Sequence, residues 1–406
     1  MAPHAAGLPA QPFFSSPGQR VALARERFFD SGDRPTGLVS EAVIQSWTRC
    51  MAARRSPQRS VAFEPVTRST LNAAMERNRS LLDAAGVDIR GLEIALAGTA
   101  SRVVLTDAMG VVVHATRGQP GADEPVLKLA ARLGVNLSEA HVGTNALAVV
   151  VKTGDAVTVL GAEHYHEAVH PLYCAAAPIR DGRGRLAGVL DLTVEARPFS
   201  FDAAALVGVY ATMIENRLLQ ASASRQLVLQ FQVCSSMLGS PLQALVGIDS
   251  SGRLAWHNGT AQRLLGLQRK PALPTLPLPF AEVVFGTDTQ QLLARCGQEQ
   301  PTPLRLPNGL TVWLRARAPV DAAAHELETP AAGGQAAAAA AAAGAAAAGP
   351  AAALAAPTAA SGPSTLNQAT GAMIVRTLAE CGGNISLAAR RLGVSRGLLY
   401  RHLQRV

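Results

Sequence analysis

Residues 177–194 read APIRDGRGRLAGVLDLTV, two β-rich runs separated by the four residues Asp181 to Gly184. Two glycines within those four residues supply the backbone freedom that a tight turn between strands requires. The stretch therefore predicts a β-hairpin.

Short β-rich runs also precede the hairpin. Residues 101–115 (SRVVLTDAMGVVVHA) predict two strands around an Ala-Met-Gly turn, and residues 155–161 (DAVTVLG) predict one more strand. Helical periodicity is found at residues 40–51, at about 70–85 and at 202–220. Helices around short strands predict an α+β sensor domain over residues 36–225.

The C-terminal residues 384–406 read NISLAARRLGVSRGLLYRHLQRV. A first short helix would end at Gly393, which can turn at positive φ, and Ser395 would cap a second helix. The polar face of that second helix carries Arg396, Tyr400, Arg401 and Arg405. Residues 361–406 hold six arginines and one acidic residue, in a chain of net charge +8. This pattern predicts an all-α helix-turn-helix over residues 363–406 that binds double-stranded DNA.

The same segment resembles the DNA-binding domain of the Fis family. The resemblance implies that Ser386, Ser395, Arg396, Tyr400 and Arg401 face DNA. It also implies a homodimer, because in that family an upstream helix pairs with its copy. The corresponding positions here are Leu366, Met373, Ile374 and Leu378.

Five blocks of the N-terminal half resemble the GAF-type sensor of regulators similar to the acetoin catabolism regulator. They occur in the family's order, at residues 40–50, 103–113, 133–166, 174–193 and 214–219. Such proteins are enhancer-binding transcriptional regulators of catabolic operons. The resemblance implies a small-molecule effector bound in the GAF-like domain.

The block His141-Val142-Gly143-Thr144-Asn145 has small and hydrogen-bonding side chains that suit a loop closing over a polar metabolite. An alternative stays open, in which Gly143, Thr144 and Asn145 only cap a helix over residues 146–152. The residues expected to bind the ligand are His141, Gly143, Thr144, Asn145, Glu163, His164, Asp191 and Thr193.

Residues 226–320 are expected to form a PAS-like α/β module. Residues 242–267 show a strand, a Ser-Gly turn, a second strand and an Asn-led helix in close succession, and residues 308–320 suit late strands. A degenerate dimerisation module without a ligand is the alternative. Residues 321–362 are expected to be a disordered linker, since 21 of the 30 residues from Ala331 to Ala360 are alanine.

In the resembled activators an ATPase domain lies between the sensor and the helix-turn-helix. A phosphate-binding loop needs the pattern G-x-x-x-x-G-K-[ST]. The chain has only three lysines, Lys128, Lys152 and Lys270, and none follows a glycine. We therefore expect a transcriptional regulator that acts without its own ATPase, with RNA polymerase as a candidate partner.

Glu163, His164, His166, His170 and Cys174 are dense in groups that can bind metals, and Cys174 could serve as a nucleophile with a nearby histidine. A metal- or thiol-dependent enzyme with a DNA anchor is thus one alternative function. A Fis-like architectural or anti-activator protein with a vestigial sensor is another. We expect no metal, no cofactor, no catalytic residue and no enzymatic activity.

Residues 1–35 are polar and irregular and are expected to be disordered. They lack the basic and apolar regions of a secretory signal, and the alanine-rich tract is too broken for a membrane helix. The five cysteines contain no C-x-x-C pair. These features predict a cytoplasmic protein with reduced thiols that does not enter a membrane.

DNA binding should depend on Arg396 and Arg401. Each change to alanine should weaken binding by roughly 1 to 3 kcal/mol if the side chain reaches a base, or reduce the salt dependence by about one unit if it reaches a phosphate. Fluorescence anisotropy over a salt series measures both effects. Unchanged affinity of the double variant for its operator would contradict the assignment.

Overall fold

The computed structural model describes residues 16–118, 121–267 and 278–319. Within these ranges the chain forms two five-stranded antiparallel sheets with helices packed against them, so the predicted mixed α and β fold is confirmed. The chain divides at Pro330, and the C-terminal unit, Ala331–Val406, lies outside the described residues. The expected linker and helix-turn-helix lie there.

The first sheet contains the predicted hairpin. Its strands are β1 Arg102–Asp107, β2 Val112–Ala115, β3 Val157–Leu160, β4 Leu172–Arg180 and β5 Leu186–Glu195. The order across the sheet is β2-β1-β5-β4-β3. The turn between β4 and β5 closes on Asp181, whose Oδ1 accepts hydrogen bonds from the backbone N–H groups of Arg183 and Arg185. Gly184 takes the positive φ of 72° that this turn requires.

Helices cover both faces of this sheet. They are α1 Pro17–Arg25, α2 Glu41–Ala52, α3 Arg68–Arg77, α4 Arg79–Ala95, α5 Pro125–Ala130, α6 Glu139–Val142, α7 Ala146–Thr153 and α8 Ala203–Ala221. No helix in the described part of the chain is both long and apolar enough to cross a bilayer.

Successive side chains of the strands point alternately into two separate apolar cores. On β5, Val189 points into the core shared with α1, α2 and α7, whereas Leu190 and Leu192 point into the core shared with α4 and α8. Because side chains alternate along a strand, Asp191 and Thr193 lie on the same face as Val189. Both polar side chains are therefore buried beneath α7 and its neighbours rather than exposed to solvent.

The expectation that residues 1–35 are disordered is wrong for residues 17–30. Ser16 accepts a hydrogen bond from the N–H of Gln19, and Pro17 occupies the first turn, so α1 has a defined start. A π-helical turn, Glu26–Asp30, follows it. Val21 and Ala24 are buried in the core of the first sheet, which holds the segment in place. Residues 1–15 lie outside the described residues.

The helix predicted from about Thr70 to Ala85 is two helices, α3 and α4. Asn78 separates them, with φ −103° and ψ 14°. Its side-chain amide donates to the carbonyl of Ala74 at 2.8 Å and so competes with the helical hydrogen bonds there. The helices predicted over 40–51 and 202–220 are confirmed as α2 and α8.

The second sheet follows α8. Its strands are β6 Leu227–Gln232, β7 Ala244–Ile248, β8 Leu254–His257, β9 Thr302–Arg305 and β10 Thr311–Arg317, in the order β8-β7-β6-β10-β9. Three short helices accompany it: α9 Gly259–Leu264, α10 Ala281–Phe285 and α11 Thr289–Leu293. The strands around Gly252 and the helix led by Asn258 were expected, whereas β6 was not. The PAS-like identity of this module stays a prediction.

The C-terminal half of α8 packs against the second sheet as well as the first. Leu219 and Ala223 join a small apolar cluster with Trp256 of β8. The amide of Asn258 donates to the side-chain oxygen of Asn216 on α8 at 2.8 Å. One helix therefore connects the two sheets through buried apolar and polar contacts.

Gly188 should be intolerant of a side chain. A Cβ at this position would lie 2.5 Å from the carbonyl oxygen of Thr106 and 2.7 Å from Cδ2 of Leu81. Gly188→Ala should lower the free energy of unfolding by roughly 1 to 3 kcal/mol, because β5 cannot move away from β1 without breaking the sheet. Chemical denaturation measures the change.

Gly208→Ala is the matched control. Gly208 lies inside α8, and nothing would come within 4 Å of an added Cβ. The same substitution should there raise stability by up to about 1 kcal/mol, through helix propensity. Equal destabilisation by both variants would contradict the packing described for Gly188.

Candidate ligand-binding site

A cavity lies over the face of the first sheet that carries Asp191 and Thr193. About 30 Å³ of space is open in it. Apolar side chains form most of its wall, among them Phe63, Leu127, Leu147 and Leu172. The polar or sulfur-containing side chains that line it are Asn145, His164, Cys174, Asp191 and Thr193. Among the described residues, no arginine or lysine lines it.

Asp191 is the most unusual polar group in the wall. Its carboxyl is buried, and its Oδ2 accepts a hydrogen bond from the hydroxyl of Thr193. Its Oδ1 is buried without any hydrogen-bond partner among the described residues. Burial without a cationic partner raises the pKa of this carboxyl to about 7. An unpaired buried carboxyl oxygen is costly unless a further group pairs with it.

His164 and Cys174 form a neutral pair beside this carboxyl. Nδ1 of His164 lies 2.9 Å from the carbonyl oxygen of Gly161, so Nδ1 carries the proton, and Nε2 lies 3.5 Å from Sγ of Cys174. Burial lowers the pKa of His164 to about 4. Burial, and then the neighbouring Asp191, raise the pKa of the Cys174 thiol. A neutral thiol beside a neutral imidazole does not suit nucleophilic catalysis.

Asn145 caps a helix and lines the cavity at the same time. Its Oδ1 accepts from the N–H of Ala148, and its amide donates to the carbonyls of Leu137 and Gly143 at 2.9 and 3.1 Å. Asn145 is therefore the N-cap of the following helix, as the alternative supposed, but it is not only a cap, because it also lines the cavity. Its hydrogen-bonding groups are already occupied. Its side chain therefore forms part of the cavity wall and fixes the backbone beside the cavity.

Four of the expected ligand-binding residues do not line the cavity. His141 is exposed and pairs with Ser138, whereas the hydroxyl of Thr144 is buried 2.8 Å from that of Ser46 on α2. Gly143 takes a positive φ of 68° in the turn before α7. Glu163 accepts a hydrogen bond from the N–H of Leu160, and burial raises its pKa to about 7. Asn145, His164, Asp191 and Thr193 are the four that line it.

The metal-capable side chains between Glu163 and Cys174 point in different directions. His164 faces Cys174, whereas His166 packs edge-on against the ring of Tyr165. Within residues 16–118, 121–267 and 278–319, no three His, Cys, Asp or Glu side chains are close enough to hold a metal ion.

Sequence reasoning missed the contribution of the segment before residue 36. The guanidinium of Arg25 donates to the carbonyl oxygens of Ala162 and His164 at 3.1 and 2.9 Å, and it reaches that of Tyr165 at 3.4 Å. The indole N–H of Trp47 donates to the intervening carbonyl of Glu163 at 2.8 Å. The only signal in the sequence was the aromatic pair that follows Arg25 in RERFFD, which suits packing rather than disorder.

Two family models match the chain. Residues 17–215 match the MimR N-terminal domain, and residues 368–405 match the bacterial regulatory protein Fis family. The first match begins at residue 17, where α1 also begins. The second covers the positions that are expected to face DNA, Ser386, Ser395, Arg396, Tyr400, Arg401 and Arg405, which lie outside the described residues.

Curated relatives match about half of the chain. The acetoin catabolism regulatory protein of Cupriavidus necator is 30% identical over 234 residues, 56% of this chain and 35% of that protein. The propane 2-monooxygenase operon transcriptional activator MimR of Mycolicibacterium smegmatis is 30% identical over 199 residues, 48% of this chain and 32% of that protein. The chain thus spans about a third of the length of these relatives.

Among solved structures, the complex of DhaR(N) with DhaL from Escherichia coli is 17% identical. The match covers 69% of this chain and 100% of that chain, with a TM-score of 0.43.

The buried carboxyl of Asp191 should impose a specific pH dependence on stability. Its pKa is about 7 in the folded protein and near 3.8 when the chain is unfolded. As the pH rises between these values, the unfolded chain loses this proton and the folded chain keeps it, so this group makes folding less favourable. Asp191→Asn removes that effect. The variant's unfolding free energy minus that of the wild type should therefore rise from about pH 4 to 7, by up to roughly 4 kcal/mol.

Denaturant titrations across this pH range measure the difference directly. Asp83→Asn, on the exposed side of α4, serves as the control and should run parallel to the wild type. Glu163 and His164 titrate in all three proteins, so their effects cancel. If Asp191→Asn also runs parallel to the wild type, the carboxyl is not held protonated.

Proposed function

We propose that this chain, which carries a MimR-type N-terminal domain at residues 17–215 and a Fis-type helix-turn-helix at residues 368–405, is a DNA-binding transcriptional regulator controlled by a small molecule. This proposal rests on one observation: the same chain contains that DNA-binding segment and a cavity in which a buried carboxyl oxygen has no hydrogen-bond partner among the described residues. A group added in the cavity would complete the hydrogen bonding of Asp191. The protein would act in the cytoplasm as a homodimer.

The cavity favours an uncharged ligand with a hydroxyl or another hydrogen-bond donor. No cationic side chain of the described residues lines the wall, so a carboxylate ligand would place a second acidic group beside Asp191 without compensation. A hydroxyl can donate to the unpaired Oδ1 of Asp191, while aliphatic groups pack against Leu127, Val169 and Leu172. Alcohols, diols and hydroxyketones fit these requirements, and short organic acids do not.

The ligand would regulate the protein by changing how the two DNA-binding segments of the dimer are positioned on the DNA. In a dimer, two recognition helices must meet half-sites about one helical turn apart, so a change in sensor geometry alters the fit. The segment between the two matched domains contains no G-x-x-x-x-G-K-[ST] pattern. Recruitment of RNA polymerase, or competition for sites, would then replace an ATPase-driven step.

One observation favours a second candidate. A cavity of about 30 Å³ is too small for most metabolites unless the wall moves. If it never opens, the sensor is vestigial, and the chain is a Fis-like architectural or anti-activator protein that occupies the sites of another regulator. Ligand binding separates the two candidates.

A thermal-shift screen of shape-matched pairs should identify the ligand class. Each pair sets a diol or hydroxyketone against a carboxylic acid of the same carbon skeleton. A ligand of the proposed class at about 100 times its Kd should stabilise the native state by roughly 2.7 kcal/mol, and its acid counterpart should give no shift. Asp191→Asn should weaken binding by roughly ten- to a hundredfold, because the amide oxygen would accept from Thr193 and an NH₂ group, which cannot accept, would replace the Oδ1 that faces the ligand hydroxyl.

Asp83→Asn is the control and should bind as the wild type does. A shift that is equally large in Asp191→Asn would place the ligand elsewhere. If no neutral compound shifts the transition while the protein still binds operator DNA, the vestigial sensor is the better description. Chromatin immunoprecipitation identifies the operators needed for that comparison.

A further inference from the structure

Residues 161–165, a 3-10 turn (Gly161–Glu163) and the loop after it, are held from outside by one side chain of α1 and one of α2. Four successive backbone carbonyls each accept a hydrogen bond from Arg25 or Trp47. We call these two side chains the clip and residues 161–165 the clipped loop. Loop carbonyls usually accept hydrogen bonds from water or from neighbouring backbone. Four successive carbonyls that all accept from side chains are therefore unusual.

Apart from these hydrogen bonds, Arg25 contacts two aromatic rings. Its guanidinium lies 4.6 Å from the ring centroid of Phe29 and 5.7 Å from that of Trp47. Among the described residues it forms no salt bridge with a carboxylate. Partial burial lowers the pKa of this guanidinium, and the nearby Glu167 opposes the shift. The contacts that compensate are the loop carbonyls and the aromatic rings.

The inner side of the clipped loop is the cavity wall. The carbonyls of His164 and its neighbours point toward Arg25, whereas the imidazole of His164 points inward, to 3.5 Å from Sγ of Cys174. His164 and Cys174 both line the cavity. A single layer of backbone therefore separates the clip from the space where a ligand would bind.

The opposite wall is secured more firmly. The carboxylate of Glu195, on β5, accepts hydrogen bonds from the N–H groups of Val126 and Leu127 at the start of α5. The chain after α5 exchanges backbone hydrogen bonds with β2, between Gly134 or Val135 and Val112. Moving this wall would break the first sheet. The clipped loop lies outside the sheet, and besides the clip it is held by the N–H of Tyr165, which donates to the carbonyl of Thr144 at 3.3 Å, and by the hydroxyl of Tyr165, which donates to the carbonyl of Arg55 at 2.7 Å.

We propose that Arg25 is a positioning residue for the ligand site, because its clip holds the loop 161–165 closed over the cavity and its release admits a ligand. The small cavity is then the closed state of a site that opens through the N-terminal segment. This inference rests on the proposed ligand site, but it can be tested without any ligand, because Cys174 reports whether the cavity is open.

The experiment measures modification of Cys174 in the full chain by methyl methanethiosulfonate, a small uncharged thiol reagent. Peptide mass spectrometry separates Cys174 from the other four cysteines. Arg25→Met keeps the length of the side chain and removes its donors, and it should accelerate modification of Cys174 by roughly ten- to a hundredfold. Arg25→Lys keeps the charge but offers fewer directed donors, so its rate should fall between those of Arg25→Met and the wild type.

Arg27→Met is the matched control, since Arg27 lies two residues away and is exposed. It should leave the rate for Cys174 unchanged. Hydrogen exchange distinguishes local opening from general destabilisation. In Arg25→Met, exchange should increase in peptides covering residues 161–165 and stay constant in those covering β5.

Two results would overturn the proposal. One is an unchanged rate for Cys174 in Arg25→Met. The other is an equal acceleration of Cys174 modification and of exchange in β5, which would show that Arg25 only stabilises the fold. If local opening is found but no small molecule binds, the inference about the clip stands and the proposed function fails.

Discussion

Burial of β5 on both faces is the constraint on which the rest of the structure depends. The strand pairs with β1 on one side and β4 on the other, and helices cover it from above and below. Any polar residue on this strand must therefore find its partners inside the protein. Among the described residues, Asp191 finds only the hydroxyl of Thr193, and one of its oxygens is left without a partner. This unsatisfied group is the basis of the ligand preference that we propose.

The same sheet connects the cavity to the rest of the chain. Leu190 and Leu192 of β5 pack on the side opposite Asp191, in the core that also contains Ile214 of α8. A few residues further along, α8 contacts the second sheet through Asn216 and Leu219. A displacement of β5 caused by a ligand would reach α8 directly, because protein cores are close-packed and transmit strain. In the sequence, the second sheet precedes residues 368–405, which match the Fis family.

Much of the fold could be predicted from local pattern. The hairpin around residues 181–184 and the helices over 40–51 and 202–220 follow from turn residues and from periodicity, which are local properties. The break at Asn78 was missed because a side-chain hydrogen bond to the preceding turn leaves no clear pattern in the sequence. The order of α1 was missed because its burial depends on a partner more than a hundred residues away.

The site was only half predictable for a related reason. His164, Asp191 and Thr193 line the cavity, but Thr144 and Glu163, which have similar chemistry, face other partners. A single sequence does not reveal on which side of a loop a polar side chain lies. Asn145 shows a further difficulty, since one residue both caps α7 and lines the cavity. Composition could not distinguish these two roles.

The central claim is that a small neutral molecule, bound beside Asp191, changes how the chain binds DNA. Fluorescence anisotropy of the full chain on its own operator, at one fixed salt concentration, tests this claim most directly. A saturating ligand should change the Kd by roughly 5- to 150-fold, and Asp191→Asn should abolish that change while retaining the unliganded affinity. An operator Kd that is the same with and without bound ligand would contradict the account.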